Sequence, residues 1–260
     1  MHFNNRLADL NINTNNRGNL ALLHLNIHSI FYKLDRFSNF LGSVALKFFV
    51  IGIYETWLDD SSHSSDILGF NFIHNHRVGR TAGGVGLSLA DYLVFKHRVD
   101  LVFSKDCAES LFVENNRKIV KSIVIRVIYR PPDCKLRDFI LELEQLVSVI
   151  SEENKTVFLM GDWNLNFMNH CCRQAIREFL VLMFSKMFFP LTTRPIRITS
   201  HKASPLDNIS TNEPLIINLL AVFFSMTFRI IFRFSLLWLS MNRFSKEIRI
   251  LLFAPKISKI

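Results

Sequence analysis

The chain has 260 residues, a formal net charge of +9 and hydrophobic residues at 49% of its positions. This length allows one large domain or two small ones, and the hydrophobic content allows a sizeable core. The four cysteines include the adjacent Cys171 and Cys172 but no Cys-x-x-Cys spacing, which argues against a disulfide framework and a structural zinc site. The sequence therefore predicts a reducing compartment, and the basic charge favours a polyanionic partner.

In chain order, residues 1–19 are polar and rich in Asn, without the apolar core of a signal peptide, and predict a disordered lead-in. Hydrophobic runs and helical spacings then alternate along the chain. They predict strands at 20–27, 48–54, 85–90, 110–114, 119–129 and 156–160, a short extended piece within 204–212, and helices at 29–41, 136–150 and 175–184. This alternation of strands and helices predicts an α/β domain.

The stretch 156–166 is the most informative, because a run of five apolar or β-branched residues stops at Gly161. Asp162 and Asn164 follow, and in an extended chain their side chains point the same way. A carboxylate and an amide can hold a hard metal ion, a water or a phosphate. The alternative is an ordinary turn, in which Asp and Asn are common without any site.

The same feature recurs at other strand ends, and this repetition favours a site. The polar residues at these ends are Asn26, Glu55, Tyr129, Asp162 with Asn164, and Asp207. Each of them alone is explained by a solvated loop, a turn or local packing. Together they form a set of oxygen and amide groups with almost no Cys or His, which suits Mg²⁺ rather than zinc. Such a site suits hydrolysis of phosphate esters.

Six motifs occur in an order that resembles the endonuclease/exonuclease/phosphatase superfamily. More narrowly, they resemble the apurinic-like endonuclease domain of LINE-type (non-LTR) retrotransposons. The motifs are Leu25-Asn26-Ile27, Glu55-Thr56-Trp57-Leu58, Gly83-Gly84-Val85-Gly86-Leu87, Val127-Ile128-Tyr129-Arg130-Pro131-Pro132, Gly161-Asp162-Trp163-Asn164 and Leu206-Asp207-Asn208-Ile209. The stretch from Phe189 to Ser200 is also similar to that group, and the resemblance covers roughly residues 20–225.

The resemblance implies a four-layer α/β sandwich, in which two mixed sheets pack together and helices flank them. It implies that Glu55 is the principal Mg²⁺ ligand with Asn26 beside it, and that Asp162 orients or deprotonates the attacking water. The activity implied is Mg²⁺-dependent nicking of DNA, which primes reverse transcription in these elements.

The resemblance also implies groups around the scissile phosphate. Asn164 and Tyr129 resemble residues that hold this phosphate, and Asp207 resembles the late carboxylate of the family. Arg130 is a candidate phosphate contact, although an exposed arginine is commonly only a solvated charge. DNA is the partner expected, with no small-molecule cofactor besides Mg²⁺, and a nuclear location follows from that substrate alone.

The family ends its domain with Ser-Asp-His, an apolar residue and Pro, and this chain lacks that motif. Its place is taken by the stretch from Met226 to Phe234. One permitted choice of codons for this stretch is ATG ACA TTT CGG ATC ATT TTC CGA TTT, and these codons read from their third base would encode Asp-Ile-Ser-Asp-His-Phe-Pro-Ile. We therefore expect residues 226–260 to be an out-of-frame tail, the last native strand to be missing, and activity to be impaired.

Three alternatives remain open. The chain could be a non-catalytic remnant that binds nucleic acid, or a phosphatase of the same superfamily. The tail could also be a membrane segment, but the apolar run 215–228 is shorter than the roughly 20 residues that span a bilayer. Extending the run takes in Arg229 and Arg233, which are unfavourable in a membrane. No stable membrane association is expected.

Overall fold

The computed structural model describes 15 strands and three helices. The residues described are 20–44, 47–59, 67–76, 82–101, 103, 107–116, 121–165, 167, 171–191, 197–198, 203–204, 207–213, 218–226, 232–240 and 249–253. The strands are β1 Leu20–Asn26, β2 Val50–Tyr54, β3 Phe70–Asn75, β4 Val85–Ala90, β5 Lys96–His97, β6 Glu109–Asn115, β7 Ile123–Tyr129, β8 Thr156–Asp162, β9 Phe189–Pro190, β10 Arg197–Ile198, β11 Ala203–Ser204, β12 Asp207–Thr211, β13 Asn218–Met226, β14 Phe232–Ser240 and β15 Arg249–Phe253. The helices are α1 Leu34–Ser43, α2 Leu136–Glu152 and α3 Gln174–Ser185.

Two mixed sheets hold most of these strands. The first has seven strands in the order β15-β13-β14-β1-β2-β4-β3, and the second has six in the order β5-β6-β7-β8-β12-β9. The neighbours β1 and β2 are parallel, and so are β7 and β8, whereas β4 and β12 join them antiparallel. Each sheet therefore has, near its middle, a pair of parallel strands whose carboxyl ends point the same way.

Three apolar layers separate the sheets and helices, because alternate side chains of each strand face opposite sides. Between the sheets, Leu22 and Val50 from the first pack with Val127, Phe158 and Met160 from the second. The outer face of the second sheet packs on α2 and α3, and the outer face of the first packs on α1. This is the four-layer α/β sandwich that the sequence predicted, and the fold class is confirmed.

Most predicted elements are found, with shifted ends. The predicted helix at 29–41 begins only at Leu34, because His28 and Ser29 have positive φ values of 49° and 74°. The strands β6 and β7 pair antiparallel as a hairpin, with Glu109 opposite Tyr129. The strand β3 was not predicted. The predicted lead-in at 1–19 lies outside the described residues.

Loss of the last native strand, which the sequence analysis expected, would leave a sheet edge unpaired, but β1 is paired on both sides. The tail strand β14 pairs antiparallel with the whole of β1, and β13 and β15 extend the sheet further. The unpaired N–H and C=O groups of an edge strand can accept any extended segment, and residues 232–240 are rich in Phe and Leu, which tolerate a strand. The tail therefore occupies the edge that a lost native strand would leave open, and the prediction that residues 226–260 are out of frame stays a prediction. None of the helices in the described residues is long and apolar enough to cross a membrane.

Candidate active site

The side chain of Asn26 links the ends of the two sheets. Its Nδ2 lies 2.8 Å from Oε1 of Glu55 and 3.2 Å from Oδ2 of Asp162, so one amide group donates to both carboxylates. Asn26 is the last residue of β1, Glu55 directly follows β2 and Asp162 ends β8. The carboxyl ends of two parallel pairs thus converge, as in other α/β folds whose sites lie beyond strand ends.

The donor set fits a hard divalent ion. Asn26 is only 2% exposed, and its Oδ1 has no hydrogen-bond partner among the residues that the structure describes. A buried carbonyl oxygen without a partner is unfavourable, and a cation ligated there would satisfy it. In the described part of the chain no three His, Cys, Asp or Glu side chains cluster as a metal set. The candidate ligands are the Glu55 carboxylate and the Asn26 amide oxygen, and oxygen ligands are the type that Mg²⁺ prefers.

The loops after β1 and β2 are fastened to each other and to the start of β4. The backbone N–H of Ser29 donates to the carbonyl of Glu55 over 2.8 Å, and that of Thr56 donates to the carbonyl of Gly84. Glu55 has φ +51°, which a non-glycine residue adopts only where its surroundings hold it. Gly84 has φ +84°, and a Cβ there would lie 2.2 Å from Oγ1 of Thr56. This close approach requires glycine.

His28 and Lys33, in the β1–α1 loop, also reach the site. The sequence analysis did not single out these two residues. Nδ1 of His28 lies 2.6 Å from Oε2 of Glu55, on the opposite oxygen from Asn26. Nζ of Lys33 donates to the carbonyls of Ile27 and His28, and its burial lowers its pKa below the usual value. The alternation Asn26-x-His28 beyond a strand end is a signal that could have identified His28.

Asp162 and Asn164 do not point the same way, because the chain does not stay extended. Asn164 has φ +49°, its N–H donates to Oδ1 of Asp162, and its Nδ2 donates to the carbonyl of Arg130 over 2.9 Å. The two residues form the turn that the alternative interpretation described, and Asp162 also belongs to the site. The amide nitrogen of Asn164 holds this turn against the end of β7.

Arg130 is buried, which corrects the expectation of an exposed phosphate contact. It is 6% exposed, and its guanidinium donates to the carbonyls of Trp163 over 2.7 Å, Cys134 over 2.7 Å and Asn164 over 3.2 Å. Burial lowers the pKa of Arg130 from its usual value. These three bonds fix the loop after Asp162, so the side chain positions that loop.

The remaining predicted site residues lie at the same edge of the second sheet. Tyr129 and Asp207 each lie opposite Asp162, on the two strands that flank β8. Tyr129 is buried. The structure describes Asp207 by its backbone, and the direction of its side chain lies outside the described part. The strand register thus brings Tyr129, Asp162 and Asp207 to one line across three strands.

Comparison with known proteins identifies the fold. No protein-family model matches the sequence, and no curated protein matches it either. Among solved structures, the chain is similar to the endonuclease domain of TRAS1, a telomere-specific non-LTR retrotransposon. The TM-score is 0.62 at 10% identity, covering 86% of this chain and 99% of that one.

Two further structures are similar over most of their length. The AP endonuclease LMAP from Leishmania major has a TM-score of 0.67 at 11% identity, covering 89% of this chain and 90% of that one. A 3′ phosphatase from Neisseria, bound to a product DNA hairpin, has a TM-score of 0.57 at 10% identity, covering 86% and 99%. At these identities the likeness shows the fold. The chain has the endonuclease/exonuclease/phosphatase fold, which the six motifs indicated.

Proposed function

We propose that this chain is a Mg²⁺-dependent DNA endonuclease of the non-LTR retrotransposon type. One observation carries the proposal: Asn26 joins Glu55 and Asp162 at the meeting point of the two sheets, with its buried Oδ1 lacking a partner among the described residues. The structural neighbours include a retrotransposon endonuclease domain, an AP endonuclease and a phosphatase bound to DNA, which supports a nuclease acting on DNA.

Glu55 and Asn26 are the residues that would hold the ion. Glu55 offers a carboxylate that is 14% exposed, and Asn26 offers the buried Oδ1. When bound, Mg²⁺ would supply Lewis-acid polarisation of a phosphoryl oxygen and neutralise negative charge. The bond between His28 and Glu55 leaves the Glu55 carboxylate oriented by two donors, one on each oxygen. Such orientation by neighbours is what ligating carboxylates require.

Asp162 is proposed to orient the attacking water and accept its proton. The N–H of Asn164 donates to its Oδ1 and Asn26 donates to its Oδ2, so both oxygens are fixed in direction. A general base must lie within hydrogen-bond reach of the proton that it accepts, and a carboxylate with a fixed direction can meet that requirement. Tyr129 and Asn164 are proposed to contact the scissile phosphate, and Asp207 is proposed as the late carboxylate beside Asp162.

We propose that activity is reduced, because no Ser-Asp-His motif follows Asp207 in this chain. Loss of one electrophilic contact to a reacting oxygen lowers a rate by about 10²–10³-fold. The frame hypothesis for residues 226–260 is tested by the nucleotide sequence across codons 220–240. Codons that restore Ser-Asp-His support it, and an incompatible codon such as AGA for Arg229 excludes it.

The experiment is nicking of supercoiled plasmid DNA in Mg²⁺, with EDTA as the blank. We expect slow conversion to the open circle, and loss of this conversion in Glu55→Gln and in Asp162→Asn. The exposed Glu144→Gln is the matched control and should nick like the wild type. Binding of DNA without nicking would indicate a non-catalytic remnant. Hydrolysis of small phosphate monoesters without nicking would indicate a phosphatase. A nuclear location is proposed from the substrate alone.

A further inference from the structure

Three aromatic side chains are exposed on the loops that follow β1 and β2. Phe31 is 78% exposed, Tyr32 is 82% exposed and Trp57 is 42% exposed. The N–H of Ile30, the neighbour of Phe31, donates to the carbonyl of Thr56, the neighbour of Trp57, over 3.0 Å. The backbone segments that carry the three rings are therefore adjacent, and we call Phe31, Tyr32 and Trp57 the aromatic rim.

The backbone that carries the aromatic rim is fastened at several points. The rings of Phe31 and Tyr32 contact each other edge to face, with centroids 5.5 Å apart. The N–H of Trp57 donates to the carbonyl of Gly83, and Trp57 has φ +55°. Lys33 fastens the other loop through its bonds to the carbonyls of residues 27 and 28. A fastened backbone loses little conformational entropy when a ligand covers the side chains that it carries.

One side chain connects the aromatic rim to the candidate site. The His28 ring contacts the Trp57 ring edge to face at 5.6 Å, while its Nδ1 lies 2.6 Å from Oε2 of Glu55. A ligand at the aromatic rim is thus a direct neighbour of a group at Glu55. The surface is a continuation of the proposed catalytic site.

We propose that the aromatic rim stacks with unpaired bases beside the scissile phosphate, so that the substrate is DNA with a locally single-stranded or frayed strand. This inference rests on the proposed function and specifies its substrate class. Each base presents a flat face, and stacking on an aromatic side chain contributes about 1–3 kcal/mol per base. In an intact duplex those faces are covered by the neighbouring bases, so exposed rings gain such contacts only where the strand is open. The aromatic rim adjoins the proposed phosphodiesterase site through His28, and this continuity supports a nucleic acid as the occupant.

The test measures DNA binding in EDTA, where hydrolysis cannot contribute. A short fluorescein-labelled single strand and a blunt duplex of the same sequence are titrated by fluorescence anisotropy. For Phe31→Ala combined with Tyr32→Ala we expect single-strand affinity to fall by about 10–100-fold, with little change for the duplex. The matched control is Tyr92→Ala. Tyr92 is 66% exposed and lies just beyond the far end of β4 from Gly83.

A second pair of variants separates stacking from simple apolar contact. Phe31→Leu with Tyr32→Leu keeps apolar surface but removes both flat rings, and we expect it to bind single strands as weakly as the alanine pair. Trp57→Phe keeps an aromatic ring and should retain the affinity for single strands. We expect single strands to quench the tryptophan fluorescence of the wild type, and this quenching should be lost in Trp57→Phe. Wild-type affinity in the leucine pair would overturn the inference. So would equal losses for single strand and duplex, which would indicate a surface for another kind of partner.

The outcomes for binding and for nicking are independent of each other. If the plasmid is not nicked but single-strand binding depends on the aromatic rim, the proposed activity fails and the inferred surface stands. If nicking depends on Glu55 but the alanine pair binds single strands normally, the proposed activity stands and the inference about the aromatic rim fails.

Discussion

Nδ2 of Asn26 donates to Oδ2 of Asp162 over 3.2 Å, although the two residues lie 136 positions apart in the chain. Asn26 ends a strand of the first sheet and Asp162 ends a strand of the second. The site is therefore assembled only when the sheets pack face to face. Its geometry depends on the apolar layer between them, where Gly52 allows Met160 to approach closely.

The role of this amide is tested by Asn26→Asp. The substitution removes a donor to two carboxylates and places a third carboxylate beside them. We expect the free energy of unfolding without metal to fall by about 2–4 kcal/mol, from a lost charged hydrogen bond and like-charge repulsion. Mg²⁺ should restore more stability to the variant than to the wild type, because it neutralises the added charge.

Thermal unfolding with Mg²⁺ and with EDTA checks this prediction. The control is Asn71→Asp at an exposed position of β3, which should change little in either condition. An Asn26→Asp variant as stable as the wild type in EDTA would show that the amide does not hold the two carboxylates together.

Arg130 is predicted to act by positioning the loop after Asp162. Lysine cannot reach the three carbonyls that the guanidinium contacts, so Arg130→Lys should lose about 1–3 kcal/mol of stability and slow nicking. Its DNA affinity in EDTA, and the salt dependence of that affinity, should equal those of the wild type.

These readouts distinguish positioning from a direct phosphate contact. The exposed Arg36→Lys is the matched substitution and should leave stability unchanged. Lysine keeps the positive charge, so the neutral variant Arg130→Gln tests the phosphate contact. If Arg130→Gln folds normally and the salt slope of its DNA binding falls by about one, the side chain contacts a phosphate, and the buried geometry does not describe the bound state.

The positions of the site residues follow from local sequence patterns, but their hydrogen-bond partners do not. Strand periodicity located Asn26, Glu55 and Asp162, because a strand end is a local property and parallel ends meet at one edge. The partners of these residues depend on backbone dihedrals that periodicity does not encode. The positive φ of Asn164 turned its side chain towards Arg130, and that of His28 delayed the start of α1.

The missed strand and the tail have another cause. Residues 70–75 are only partly buried at the edge of the first sheet, so their sequence lacks a continuous apolar run. Strand β14 lies far from β1 in the sequence. It pairs with β1 because it is an apolar segment and the edge of β1 would otherwise be unpaired. Neither the strand at 70–75 nor the pairing of β14 with β1 is determined by residues that are nearby in sequence.

Acid pH is predicted to destabilise the fold through His24. This ring lies fully buried between the sheets against Tyr54, and neither nitrogen has a hydrogen-bond partner among the described residues. Burial lowers the pKa of His24 from 6.5 to about 3. The folded state therefore binds the proton less readily than the unfolded state, so stability is full above pH 6.5 and falls as the pH drops towards 3.

Between pH 7 and pH 5 this effect amounts to about 2 kcal/mol. We expect urea unfolding to show that loss in the wild type and a much smaller one in His24→Leu. His97→Leu, at an exposed strand position, should keep the wild-type loss. An unchanged pH dependence in His24→Leu would place the acid-sensitive group elsewhere.

Cys107 and Cys134 are predicted to form a disulfide under oxidising conditions. Both are free, and their Sγ atoms are 3.0 Å apart. Burial raises the pKa of Cys107, so the more exposed Cys134 should attack oxidised glutathione first, releasing one glutathione thiol. Cys107 then displaces the second glutathione and closes the bridge.

Peptide mapping after treatment should show Cys107 linked to Cys134, with the mass lower by two hydrogen atoms. The bridge spans 27 positions, and oxidation should raise the free energy of unfolding by about 3 kcal/mol. A variant with Cys171→Ser and Cys172→Ser removes the exposed thiols and should behave identically. Mixed glutathione disulfides alone would contradict the prediction.

The most direct measurement of the central claim is binding of Mn²⁺, as a paramagnetic substitute for Mg²⁺, followed by electron paramagnetic resonance. The account predicts one bound ion per chain in the wild type and in the exposed Glu144→Gln, and strongly weakened binding in Glu55→Gln. Excess Mg²⁺ should release the Mn²⁺. Equal binding by wild type and Glu55→Gln, or none by either, would contradict the assignment of Glu55 and Asn26 as the metal ligands of a nuclease.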